Sequence, residues 1–84
     1  MDAWKSQLTA RGYRITAARQ AIVSILQEAE SPLAPQEIRD RAEALHRGIG
    51  LVTVYRALEL LNELGLVRRV HREDGCHGYL PATQ

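Results

Sequence analysis

The chain has 84 residues, a formal net charge of +1, 45% apolar residues and a single cysteine, the balance of one small globular domain. No apolar run approaches the ~18–20 residues of a membrane span and no signal-peptide pattern opens the chain, so no membrane association is expected. The lone cysteine excludes an internal disulfide framework and an all-thiolate zinc site, and fits a reducing, cytoplasmic setting.

Net charge does not announce a polyanionic partner, but the charges are separated along the chain. Lys5, Arg11, Arg14 and Arg19 face only Asp2 over residues 1–19. Glu28, Glu30, Glu37, Asp40 and Glu43 outnumber Arg39 and Arg41 over 28–43, and Arg68, Arg69 and Arg72 follow. Separated signs on a small domain create a directed field that can steer a charged partner.

In chain order, Trp4 and Leu8 stand four apart and predict a short helix over Ala3–Ala10, ended by Gly12. Tyr13, Arg14 and Ile15 lead to Thr16, an N-cap for a core helix over 17–29 with Ala18, Ile22, Ile25, Leu26 and Ala29 on one stripe. Arg19 in its first turn opposes the helix dipole, which points to an external anion or a neighbouring carboxylate. Ser31 to Pro35 forms a turn, Pro35 opens a helix over 35–46, and Ile38, Ala42 and Leu45 make its narrow apolar stripe.

The next helix runs over 51–64, between Gly50 as N-cap and Gly65 as the residue after the C-cap. Leu51, Val54, Ala57, Leu58, Leu61 and Leu64 gather on one face, and Val52, Tyr55, Arg56, Glu59 and Glu63 on the other. Tyr and Arg can read base edges or grip phosphate, whereas the later carboxylates would be repelled by it. A groove-reading helix would therefore enter by its N-terminal half, where the dipole is positive. An ordinary surface helix, with Arg56 paired to Glu59 or Glu63, is the other reading of the same face.

Leu66–Arg72 reads as a strand, Asp74-Gly75 as a hairpin turn, and His77–Leu80 as a returning strand that Pro81 limits. Four helices and then a two-stranded hairpin predict a mainly α winged helix–turn–helix. In it, 35–46 supports 51–64 and the hairpin is the wing.

Three strings now occur in order: Tyr13-Arg14-Ile15-Thr16-Ala17-Ala18-Arg19, Ile49-Gly50-Leu51-Val52-Thr53-Val54-Tyr55-Arg56-Ala57-Leu58, and Gly65-Leu66-Val67. Together they resemble the N-terminal DNA-binding domain of the ferric uptake regulator (Fur) family of bacterial metal- and peroxide-responsive repressors. The resemblance implies that Tyr55 and Arg56 contact bases in the major groove and that Arg14 reaches the minor groove. It places Thr16, Arg19 and Thr53 at or near the phosphate backbone, and Arg69 on the wing. It implies a double-stranded operator, A·T-rich and two-fold symmetric. For a full-length relative it implies zinc or ferrous iron and a homodimer.

Family members are about twice this length and continue into a metal-binding dimerisation domain. Residues 1–84 are thus expected to be a winged-helix DNA-binding domain alone, monomeric when isolated. Many members carry a sensory histidine before the third helix, where this chain has Ser31-Pro32. Cys76 and His77 are the remaining metal candidates, since thiolate with imidazole suits zinc and zinc-sensing branches use a hairpin cysteine. Adjacent strand residues point to opposite faces, so the pair cannot easily clasp one ion, and no cofactor is expected for this fragment. His46 and His71 lack ligand spacing.

Two further functions compete with DNA reading. A winged helix can serve only as a protein-docking module, here through Val52 and Tyr55. A thiol enzyme built on Cys76 with His77 or His71 lacks a third orienting residue, so no enzymatic activity is expected.

Overall fold

The structure, a computed structural model, describes residues 4–82. The expected helix start at Ala3 lies outside them. Helices α1 (Trp4–Ala10), α2 (Ala17–Gln27), α3 (Pro35–Glu43) and α4 (Leu51–Glu63) precede strands β1 (Val67–His71) and β2 (His77–Pro81). The fold is a winged helix.

Local chemistry sets the element ends. Thr16 caps α2 by accepting the Arg19 N–H at 3.1 Å. Ala34 has no side-chain acceptor to cap α3, and the cap is made in reverse: Glu37 Oε1 accepts the Ala34 N–H at 2.7 Å. α4 closes in a Schellman turn, in which Gly65 (φ 75°) and Leu66 donate to Asn62 and Leu61.

The hairpin is antiparallel and pairs Val67 with Pro81 through to His71 with His77. Asp74-Gly75 does form the turn, but within a longer loop than a two-residue one. The Gly75 N–H (φ 84°) bonds to the Arg72 carbonyl and the Arg72 N–H to the Cys76 carbonyl, a type I turn closed by a glycine bulge. Leu33 adds an isolated bridge to Tyr79, with both backbone bonds made, which ties the turn before α3 to the wing.

The core is apolar throughout. Leu8, Ile22, Leu26, Ile38, Val54 and Leu58 are fully buried, and no buried side-chain nitrogen or oxygen lacks a partner among the described residues. Three expectations need correction. α3 stops at Glu43 rather than 46, and Leu45 stands 60% exposed while Ile49 takes the buried place. Leu45 and His46 both bond back to the Ala42 carbonyl, so the chain turns off the helix axis and swings Leu45 outward. Leu51 is 37% exposed instead of facing the core, and Leu60, off the expected stripe, is buried. α4 packs against both α3 and β1, so two faces are covered rather than one. α2 ends two residues early, at Gln27, although Ala29 remains buried.

Candidate nucleic-acid interface

α4 presents the expected outward face. Val52, Tyr55, Arg56, Glu59 and Glu63 are all exposed. Gly50 offers no side-chain cap, so the first-turn N–H groups of α4 meet no side-chain acceptor there and point their positive dipole end outward.

Two depressions flank this helix. The first, a cleft of about 190 Å³, is bordered by Thr16, Arg19, Thr53 and Arg56. It thus unites side chains from the α2 N-terminus and from the first two turns of α4. Arg56 makes no ion pair with Glu59 or Glu63 among the described residues, so the surface-pairing alternative is not realised. Arg19 likewise meets no carboxylate among the described residues. Its Nη1 donates to the Arg14 carbonyl at 2.6 Å, and its guanidinium lies 5.9 Å from the Tyr13 ring centre. A carbonyl and an aromatic face orient the cation without neutralising it. The Thr16 oxygen is occupied as an acceptor in the cap, but its hydroxyl proton stays available to an outside oxygen.

The second depression is a groove of about 400 Å³ between α4, the wing and the start of α3. It brings Tyr55 to Arg69, with Pro35, Gln36, Cys76 and His77 on its walls. Arg14 borders neither depression; its side chain is exposed on the segment before α2.

The wing is less basic than its sequence. Arg72 Nη1 bonds to Glu37 Oε1 at 2.5 Å and Nη2 lies 3.4 Å from Asp74 Oδ2, so this cation is spent inside the protein. The Ala34 N–H and then the Arg72 guanidinium hold the Glu37 carboxyl below its ordinary value, and the same bond raises Arg72. Arg68 and Arg69 remain exposed and without ion pairs among the described residues. The Glu37–Arg72 tie spans 35 positions and Tyr13 supports Arg19 from outside the helix. Neither contact has a local signature in the sequence.

β2 begins at His77, which leaves Cys76 in the turn, so strand alternation does not separate the two and both face the second groove. The His71 and His77 rings meet edge to face across the hairpin, with centres 5.4 Å apart. Even so, no group of three His, Cys, Asp or Glu side chains is placed to hold a metal ion among the described residues. These residues do not assemble a complete site for iron or zinc.

The sequence profile of the Ferric uptake regulator family matches residues 10–83. The ferric uptake regulation protein of Bacillus subtilis is 38% identical over 80 residues, covering 94% of this chain and 54% of that protein. The ferric uptake regulation protein of Synechocystis is 36% identical over 81 residues, covering 93% and 48%. The chain thus spans about half the length of the curated relatives it matches. The ferric uptake regulator of Helicobacter pylori, whose structure is described as having three functional metal-binding sites, superposes with a TM-score of 0.89. That match covers 99% of this chain and 55% of that one, and at 19% identity it speaks for the fold. A winged helix with an uncompensated Tyr-Arg face, matched by this profile along nearly its whole length, belongs to the ferric uptake regulator family.

Proposed function

We propose that the chain reads a specific site in double-stranded DNA, as the operator-binding domain of a metal-responsive transcriptional regulator. One observation carries the reading. Arg19 and Arg56 border a single cleft beside the exposed first turns of α4, and neither meets a carboxylate among the described residues. Two such cations at a helix N-terminus form a site for a polyanion.

In this reading Tyr55 and Arg56 contact bases in the major groove and Arg14 enters the minor groove. Thr16, Arg19 and Thr53 grip the backbone on one side of α4, and Arg69 grips it from the wing. Residues 1–84 act as the DNA-binding domain. An A·T-rich, two-fold operator, a homodimer, and control by zinc or iron belong to the same proposal, carried over from the family.

The test is fluorescence anisotropy with a duplex selected on this chain from a randomised library, against a scrambled duplex, at several salt concentrations. Specific reading gives tighter binding to the selected duplex and a logarithm of affinity that falls linearly with that of salt. Equal, salt-insensitive affinities would leave the face of Val52 and Tyr55 to protein docking instead.

A further inference from the structure

Val52 is 63% exposed, more than any other large apolar side chain among the described residues. It stands in the first helical turn of α4, three positions before Tyr55 and four before Arg56, so the three share one strip of the helix surface. A β-branched residue is a weak helix former where solvent rather than packing surrounds it, so nothing local to the fold calls for valine here.

The surroundings are specific. The cleft with Arg19 and Arg56 and the groove joining Tyr55 to Arg69 flank this helix, and its only carboxylates, Glu59 and Glu63, lie in its later turns. Val52 lines neither depression itself; it is an apolar point on the strip that carries Tyr55 and Arg56, which do. The major groove offers one apolar group to such a point, the C5 methyl of thymine.

We infer that Val52 is a specificity-determining residue that packs on a thymine methyl beside the base read by Arg56; this rests on the DNA-reading proposal above. Four helical residues rise ~6 Å and successive bases ~3.4 Å, so that thymine lies within about two steps of the base contacted by Arg56.

The test uses the selected duplex with each thymine replaced in turn by deoxyuridine, which removes only the methyl. Wild type is expected to lose about three- to fivefold in affinity at one thymine near the Arg56-dependent pair, the worth of one buried methyl. Val52→Ala should bind the thymine duplex similarly weakly, and the same deoxyuridine should then change nothing further. An unchanged thermal midpoint for Val52→Ala checks its fold; if the midpoint drops, Val52→Ser, which also lacks both γ-methyls, takes its place.

If every deoxyuridine lowers wild type and variant by equal factors, Val52 faces no thymine, and this inference falls while DNA reading stands. If no duplex is enriched over scrambled sequence, the reading and the inference fall together.

Discussion

Two arginines on the proposed interface differ in what they can report. Arg56 lies in the N-terminal half of α4, where a guanidinium can span O6 and N7 of guanine; Arg69 lies on β1, where phosphate is the nearer partner. Arg56→Ala should cost ~1–3 kcal/mol on the selected duplex and much less on scrambled DNA. Arg69→Ala should weaken both alike and lower the salt slope by about one. Arg39, paired with Asp40 on α3, is the control whose removal should do little. Equal losses on both duplexes for Arg56→Ala would remove α4, and Tyr55 with it, as the reading element. Gly78 is constrained for a different reason. A Cβ there would sit 2.5 Å from Pro32 Cβ and 2.9 Å from Arg72 Cδ. Gly78→Ala should therefore destabilise the domain by ~1–3 kcal/mol in urea denaturation, the usual cost of overpacking.

Among elements, Glu37 is one of the ties between the wing and the start of α3. One carboxylate oxygen takes both the Ala34 N–H at the start of α3 and the Arg72 guanidinium at the end of the hairpin. Leu33 and Tyr79 join the same two segments through backbone bonds. Because the Glu37 carboxyl is held below its ordinary 4.5, the folded state binds a proton there less readily than the unfolded chain does. Its contribution is present above pH 4.5 and is lost as pH falls through the lowered folded value. The side chain is 45% exposed, so solvent screens the pair and the effect is small. Glu37→Gln should lower the thermal midpoint at neutral pH and narrow the gap to wild type below pH 4.5. A gap that stays constant through that window would mean that the ion pair contributes nothing measurable. The cap at the start of α2 is a second local contribution to stability. Thr16→Ala should cost ~1 kcal/mol through the lost cap.

At the scale of the whole molecule, the isolated domain is expected to be monomeric at micromolar concentration. Among the described residues, its exposed large apolar side chains are Tyr13, Leu45, Leu51, Val52 and Tyr55, and all but Leu45 lie at or beside the proposed DNA face or the start of α4. Four side chains on one face fall short of the contiguous apolar area of an obligate dimer. A dimer that survives tenfold dilution in sedimentation would refute this. The apolar core joins all four helices to the hairpin, so folding should not depend on a metal ion. Chelator treatment should leave the thermal midpoint unchanged; a large drop would make Cys76 and His77 part of a structural site.

The sequence by itself determined the order of elements, because periodicity and end signals are local. Thr16 caps, Gly65 terminates, and the alternation of faces on α4 follows from 3.6 residues per turn. It also showed the outward Tyr55-Arg56 face, since that needs only one helix and its apolar stripe. Tertiary structure decided everything that depends on partners distant in the chain. Arg72 and Arg69 look alike in a basic run, yet only Arg72 finds Glu37, 35 positions away. Leu45 fits a helical stripe, but the connection to α4 turns it into solvent, and Leu60 is buried because α4 has neighbours on two sides. Thr16 and Arg19 come to one cleft with Thr53 and Arg56 only when α2 packs against α4. Burial and ion pairing are properties of two surfaces at once, and a linear pattern specifies only one of them.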